Sequence, residues 1–311
     1  MLILPTKIHL ALEYFGVRSR SYFHNETIST YKALDPLAYY TAQIGRAHYN
    51  GVCDEKGIPL YRIGSESGHL PVQVAFWALG NFEHWRESKD ESALAKVQLA
   101  AEWFVANQKS GGLWLTPFSS KRFGLDRDHQ SAMVQGLAIS TLLRANSVIS
   151  NQRLLSAARL ALEPFGREVR SGGVTEFVNG HPIYEEYPCK PPRHVLNGTI
   201  YALWGLNDAK RLANDVHAEN LFNDGVRGLL SILPQFDSGY WSWYHVGEGV
   251  QNPATILYHR LHVVQLRVMA EMTGNQEFST IADRFQQYLS SRMNAIRTLP
   301  KKIFWLIAGS I

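Results

Sequence analysis

The sequence predicts an all-α protein: an incomplete α/α toroid of helical hairpins, with short β-hairpins lining a groove. Two patterns in the 311-residue chain carry this prediction. Apolar residues recur at the i, i+3/i+4, i+7 spacing of a helix face over most of the chain. A Ser-Gly mark also returns at intervals of roughly 60 to 70 residues, the period of a supersecondary unit of two helices and a short strand.

Eight segments have the helical spacing, and in sequence order they pair into four hairpins, 71–108, 130–164, 197–233 and 254–290. The segments are 71–86, 90–108, 130–147, 151–164, 197–213, 217–233, 254–273 and 275–290. Residues typical of helix ends support these limits, because Asp90 precedes the second segment, Pro234 follows the sixth and Gly274 follows the seventh. Stacked hairpins of this size curve into a toroid or a solenoid arc whose loops line a concave groove.

The Ser-Gly marks place the short strands. They are Ser110-Gly111-Gly112, Ser171-Gly172-Gly173 and Ser238-Gly239-Tyr240. Each precedes an aromatic or β-branched stretch, at 113–115, 174–178 and 240–244, which predicts a short strand or hairpin on the groove side.

The toroid accounts for most of the chain, and no linker demands a second full domain. We expect residues 1–65 to form an N-terminal extension that packs on the toroid, with candidate helices at 5–15 and 33–45. Residues 66–295 form the toroid itself, and residues 296–311 form a C-terminal tail. The apolar run at 303–307 in that tail predicts a packing or dimer contact rather than a membrane-surface foot.

Composition excludes several classes of protein. With 45% apolar and 19% charged residues, the chain can bury a large core and is not disordered. The net charge of +4 suits an anionic ligand, but no Lys/Arg run exceeds two residues, which disfavours nucleic acid. The 8 Trp, 14 Tyr and 14 Phe residues fit a groove that stacks on flat apolar surfaces such as sugar rings.

Targeting and cofactor signals are weak in this sequence. Cys53 and Cys189 cannot form a disulfide framework. No signal peptide and no apolar run long enough to span a bilayer are visible, so we expect a cytoplasmic protein without an integral membrane segment, at most peripheral at a membrane. GxGxxG, P-loop and GxSxG motifs are missing, and the prediction includes no cofactor.

Three clusters carry residue types suited to chemistry. The densest is Tyr184-Glu185-Glu186-Tyr187-Pro188, which is either a solvated loop or a group of acids and phenols at the groove. The second is Tyr240-Trp241-Ser242-Trp243-Tyr244-His245. In a strand, alternation places the tyrosines on one face and the tryptophans on the other, and the tryptophans also suit buried positions in the core. The third is Tyr258-His259-Arg260-Leu261-His262, whose two histidines lack a third metal ligand and HExxH spacing, so no metal is predicted.

At these residues the chain resembles the C-terminal domain of the D-glucuronyl C5-epimerases. The resemblance spans about residues 100–291, and its most specific block runs from Glu185 to Asp208. The motifs are Tyr184-Glu185-Glu186-Tyr187-Pro188, Val195-Leu196-Asn197-Gly198, Tyr201 to Asp208, Leu233 to Gly239 followed by Tyr244, Tyr258-His259 with Gln265, and Ser131-Ala132-Met133 with Gln135-Gly136. The chain has no room for the β-rich domain of animal members, so the resemblance implies a short helical form.

The resemblance implies inversion of D-glucuronate to L-iduronate within a heparosan-like, heparan-like or related uronate polysaccharide, and a homodimer. It implies catalytic roles for Glu186, Tyr187, Tyr244 and Tyr258. An arginine that follows the hairpin tyrosine in the family is missing from Tyr244-His245-Val246-Gly247, which leaves Arg260 or Arg193 as substitutes. The full set of predicted substrate-binding residues is Arg260, Arg193, His262, Asn197, Gln135, Trp114 and His245.

These residue types suit the reaction, because C5 epimerisation needs one proton carrier on each face of the sugar ring. We expect Glu186 and Tyr258 to be that pair, with Tyr187 and Tyr244 as hydrogen-bonding neighbours. Two alternatives stay open at this point. A uronate polysaccharide lyase begins with the same proton abstraction, and a helical glycan-binding protein needs no chemistry at all.

Overall fold

The computed structural model describes residues 35–308, with side chains through residue 305. In this part of the chain the prediction of an all-α fold is confirmed. The four predicted hairpins are present as α1 (Pro71–Ser88) with α2 (Glu91–Asn107), α3 (Ala132–Ile149) with α4 (Gln152–Leu160), α5 (Leu196–Ala213) with α6 (Val216–Ile232), and α7 (Ile256–Thr273) with α8 (Gln276–Tyr288). A further helix, α9, runs over Arg292–Ala308.

The first helix of each hairpin forms an inner row. Helix α1 packs on α3, α3 on α5, and α5 on α7, while each second helix packs on its own partner. The closest approach joins α3 to α5, where a side chain on Gly205 would lie 2.3 Å from the Cα atom of Gly136. The two glycines therefore let the two backbones touch. This stacking order is expected of successive hairpins, and curvature into a toroid stays a prediction.

Local sequence explains where the helices begin. Asp90, Asn151, Asp215, Thr255 and Asn275 each cap a helix, because the side-chain oxygen accepts a hydrogen bond from a first-turn backbone N–H. The predicted segments agree with the observed helices to within a few residues. The exception is 151–164, where the α-helix ends at Leu160 and a 3-10 turn follows over Glu163–Gly166.

Within residues 35–308, seven short strands form three small antiparallel sheets. They are β1 (Tyr61–Ile63) with β2 (Glu66–Gly68), β3 (Thr175–Val178) with β4 (His181–Tyr184), and the three-stranded order β5 (Arg193–Val195), β6 (Trp243–Gly247), β7 (Asn252–Pro253). The β3–β4 turn is Asn179-Gly180, and both residues have positive φ, as a tight hairpin requires. This hairpin packs on α6, whereas the three-stranded sheet carries Tyr244.

Three local predictions are wrong. Residues 113–115 form no strand, because the pairing there is one isolated bridge between Thr116 and His129. The strand expected over 240–244 begins only at Trp243, after a turn in which the Ser238 side chain binds the backbone of Trp241. Residues 35–43 of the candidate helix 33–45 are not helical, and a 3-10 helix follows at Ile44–His48. The candidate helix 5–15 lies outside the described residues.

The two ends of the described chain pack on different parts of the protein, one on α3 and the other on the three-stranded sheet. Carbonyls of Leu37 and Ala38 accept hydrogen bonds from Arg144 on α3. At the other end, α9 packs on β7, and Lys302 donates to the side chain of Asn252. The expected boundary between 295 and 296 thus falls inside α9.

Helix α3 is the one helix of the described residues that is long and apolar enough to cross a membrane. It is 78% buried inside the protein. It lies between α1 and α5, so its apolar surface is that of a core helix.

Candidate active site

A cleft opens between the start of α5, the start of α7 and the connection that leads from α2 to α3. It holds about 740 Å³ of empty volume, open solvent at its mouth included. Its apolar wall includes Phe76, Met133 and Leu261. Its polar lining is formed by Thr116, His129, Ser131, Glu186, Tyr187, Asn197 and Tyr258. Three of the four predicted catalytic residues therefore meet in one cleft.

Glu186 lies against the first turn of α5. A side chain on Gly198 would come within 2.3 Å of Glu186 Oε2, so only glycine leaves room for the carboxyl group there. Asn197 Nδ2 donates to the same oxygen at 3.4 Å. Burial raises the pKa of Glu186 to about 7, because no cation compensates its charge. A carboxyl group with such a pKa can both accept and return a proton near neutral pH.

Tyr187 and Tyr244 continue from Glu186 as a hydrogen-bonded chain. The Tyr187 hydroxyl donates to Glu186 and is hydrogen-bonded to the Tyr244 hydroxyl. Burial and the nearby charge of Glu186 raise the pKa of both phenols well above the usual value. Tyr244 does not line the cleft and lies behind Tyr187 in this chain. The Tyr187 ring stacks on Phe123, with 4.0 Å between the ring centroids, which fixes its plane.

Tyr258 occupies the first turn of α7. Thr255 caps this helix and accepts from the backbone N–H of Tyr258, which positions the residue at the cleft. Its ring meets the Tyr244 ring edge to face, with the centroids 4.9 Å apart. Glu186 and Tyr258 thus reach the same cleft from different hairpins, as the sequence predicts for a pair of proton carriers.

His129 is a lining residue that the sequence analysis missed. Its Nδ1 lies 2.8 Å from the Asp126 carbonyl, an arrangement in which the neutral ring donates from Nδ1 and keeps Nε2 as an acceptor. Burial lowers the pKa of His129. The available signal was its place two residues before Ser131-Ala132-Met133, one of the motifs of the family resemblance. Thr116, which pairs with His129 through the backbone, was missed with it.

The carboxyl group next to Glu186 has a different environment. Glu185 is buried and lies 2.5 Å from His194 Nδ1 on β5. Burial would lower the pKa of His194, but its bond and charge interaction with Glu185 raise it. The Glu185 carbonyl also accepts from the backbone of Ala132 at the start of α3. Glu185 is therefore held by hydrogen bonds to β5 and to the start of α3.

Of the seven predicted substrate-binding residues, Asn197 lines the cleft. Gln135 is fully buried, accepts from the backbone of Trp114 and donates to the carbonyl of Gly112. Trp114 is also buried and donates from Nε1 to the carbonyl of Phe104. Both residues thus hold the loop after α2 in place, and neither lines the cleft.

His245 and His262 are buried outside the cleft lining. His262 lies 2.9 Å from Ser242 Oγ, which also contacts His259 at 2.7 Å. Burial lowers the pKa of His262 well below its usual value. Burial, together with Arg193 and Lys302, lowers the pKa of His245 to about 4. Both rings are therefore neutral near pH 7. Within the described residues, no group of three His, Cys, Asp or Glu side chains could hold a metal ion.

Neither arginine that was expected to replace the family's arginine lines the cleft. Arg260 is exposed on α7, while its neighbours His259 and Leu261 are buried. Arg193 lies over the Phe123 ring at 5.7 Å and donates to the carbonyl of Arg122. Among the described residues that line the cleft there is no arginine or lysine.

The fold and the cleft define a class: helical-hairpin proteins with a cleft that holds a buried carboxyl group beside several phenols. The family described as D-glucuronyl C5-epimerase C-terminus matches residues 107–287, which cover the cleft residues from Thr116 to Tyr258. The chain therefore belongs to this family.

Two relatives show how far the similarity extends. The chain is 35% identical to the D-glucuronyl C5-epimerase of Caenorhabditis elegans over 209 residues, which are 61% of this chain and 34% of that protein. It thus spans about a third of the length of that relative. It is 22% identical over 278 residues to an uncharacterized protein of Methanocaldococcus jannaschii, covering 85% of this chain and 89% of the other.

Proposed function

We propose that this protein inverts C5 of D-glucuronate to give L-iduronate within a heparosan-like, heparan-like or related uronate polysaccharide. The observation that carries the proposal is the cleft itself. Glu186 and Tyr258 reach it from different hairpins, and Tyr187 joins Glu186 to Tyr244 behind it. Family membership and the printed name of the Caenorhabditis elegans relative support the same reaction.

Glu186 is the base in this proposal. It takes the proton from C5, and the electron pair of the broken C–H bond moves into the adjacent carboxylate. Tyr258 then donates its hydroxyl proton to C5 from the opposite face, and the electron pair returns to form the new C–H bond. Solvent exchange through Tyr187 and Tyr244 restores Glu186 and Tyr258. The pKa of Glu186, near 7, suits a base that works at neutral pH.

The intermediate carries additional negative charge on the substrate carboxylate. In the absence of arginine and lysine among the described lining residues, neutral donors stabilise it here. Asn197, Thr116, Ser131 and the phenols supply such donors. An anionic uronate polymer is thus the partner, with nucleic acid disfavoured by the dispersed charge of the chain.

The test is hydrogen exchange at C5. Heparosan and other glucuronate polymers are incubated with the protein in D2O and analysed by NMR for C5 deuterium and iduronate. We expect both signals, and expect Tyr187→Phe and Tyr258→Phe to abolish the formation of iduronate with the fold retained. An unsaturated product that absorbs ultraviolet light would identify a lyase instead, and tight binding without exchange would identify a glycan-binding protein. If both variants stay active, the assignment of the site is wrong.

A further inference from the structure

Helix α9 lies beyond the segment that matches the family and has two unlike faces. Ala295, Thr298 and Trp305 are buried against the protein. On the opposite side, Met293, Ile296, Ile303 and Phe304 are 62%, 46%, 54% and 61% exposed. These are four of the nine exposed large hydrophobic residues in the described part of the chain. Their concentration on one helix marks an interaction surface.

The charges of α9 are of one sign. The helix contains Arg292, Arg297, Lys301 and Lys302 and no aspartate or glutamate. At about 100° per residue, the four exposed apolar side chains form one stripe, with Arg292 along one edge and Arg297 and Lys301 along the other. Arg297 and Lys301 also lie over the ring of Tyr240, at 4.5 and 5.8 Å, so their positions are fixed by packing.

We propose that this face of α9 binds the surface of an anionic membrane, whereas the sequence alone predicts a packing or dimer contact for the apolar run at 303–307. An apolar stripe bordered by cations is the pattern of a helix that lies in the interface, with its apolar side chains among the acyl chains and its cations at the headgroups. A symmetric dimer through the same face is less favourable, because it would bring the exposed cations of two copies together with no carboxylate on either helix. The proposal is independent of the proposed function.

The experiment uses the full chain and sedimentation with vesicles. One set contains phosphatidylcholine alone, and the other contains phosphatidylcholine with phosphatidylglycerol. We expect binding to the mixed vesicles that weakens as salt rises, and little binding to phosphatidylcholine alone. Phe304→Asp should weaken binding at least about tenfold, because it places a charge in the apolar stripe. Arg297→Gln with Lys301→Gln should reduce the preference for the anionic vesicles.

The matched control is Phe177→Asp. Phe177 on β3 is 57% exposed, close to the value for Phe304, but lies on a different surface. The Phe177→Asp variant should bind vesicles as the unmodified protein does. The proposal is overturned if the protein ignores the mixed vesicles, or if Phe304→Asp and Phe177→Asp act alike. It is also overturned if light scattering shows a dimer that Phe304→Asp separates, since the face would then be a subunit interface.

Discussion

A buried carboxyl group lies near each end of helix α5, and the two groups differ in whether a positive charge compensates them. At its C-terminal end, Asp208 binds Arg144 through two hydrogen bonds, at 2.5 and 3.2 Å. Tyr40 and Arg211 donate to the same carboxylate. At its N-terminal end, Glu186 has Asn197 and Tyr187 as hydrogen-bond donors, and burial raises its pKa to about 7. One carboxylate is compensated by charge, and the other is not.

This difference in charge compensation distinguishes a carboxylate that stabilises the fold from a carboxyl group suited to proton transfer. Burial would raise the pKa of Asp208, but the charge of Arg144 more than offsets this, and the pKa lies below its usual value. Asp208 therefore stays ionised and holds residues 37–40, α3 and α5 together. Glu186 is poised to change its charge within the working range of pH. The same helix thus supports the fold at one end and the site at the other.

Removing the uncompensated carboxyl group should have the largest effect on activity. Glu186→Gln keeps the shape of the side chain but cannot take a proton, so C5 exchange should fall about 10²- to 10⁴-fold. Circular dichroism and the melting temperature should show that the fold is retained. The matched control is Glu168→Gln, at a half-buried residue outside the cleft that pairs with the exposed Arg170, which should leave exchange unchanged. Equal rates in Glu186→Gln and the unmodified protein would remove Glu186 from the mechanism.

Removing the compensated carboxylate should act on stability instead. Asp208→Asn leaves the Arg144 guanidinium buried without its counter-charge, which typically costs about 3–5 kcal/mol. Urea unfolding should show this loss. Asp224→Asn breaks an exposed pair with Arg227 and should cost about 0–1 kcal/mol. If both variants cost the same, charge compensation at Asp208 is not what stabilises this end of α5.

The raised pKa of Glu186 should also appear in the pH dependence of the free energy of unfolding. Glu186 ionises near pH 4.5 when unfolded but near 7 when folded, so between these values the folded state binds more protons and stability falls as pH rises. Glu186→Gln lacks this dependence. Relative to the unmodified protein, it should gain about 2–3 kcal/mol of stability between pH 5 and pH 8. Urea unfolding at the two pH values measures the gain, and a constant difference would contradict the raised pKa.

Helical periodicity and capping residues were enough to place the helices, because each outer helix buries one recurring face, whereas α1, α3 and α5 are long apolar segments buried on nearly every side. The same periodicity explains why Arg260 was a poor choice for the site. It follows Tyr258 by two positions on α7 and so lies on the other side of that helix, where it is exposed. Periodicity could not show which buried polar residues are already satisfied. Gln135 and Trp114 have the residue types of a sugar site, yet their hydrogen bonds hold a loop.

Loop residues were harder to predict than helix residues. Residues 113–131 have no period, so nothing in their spacing brings Thr116 and His129 to the cleft. Their positions depend on a backbone pairing between two parts of one long connection. Tyr187 and Tyr244 were grouped through the family resemblance, and the structure adds their order, with Tyr187 between Glu186 and Tyr244.

His129 provides the last and smallest test of the comparison. If the cleft works without a full positive charge, its neutral donors and acceptors should each contribute modestly. His129→Gln keeps a polar side chain but changes where its hydrogen-bonding atoms lie, so C5 exchange should fall about tenfold with little change in stability. His181, which lies on the β3–β4 hairpin outside the cleft, is the control, and His181→Gln should be neutral. A loss of 10³-fold or more at His129 would instead make it a proton carrier, and Tyr258 would lose that role.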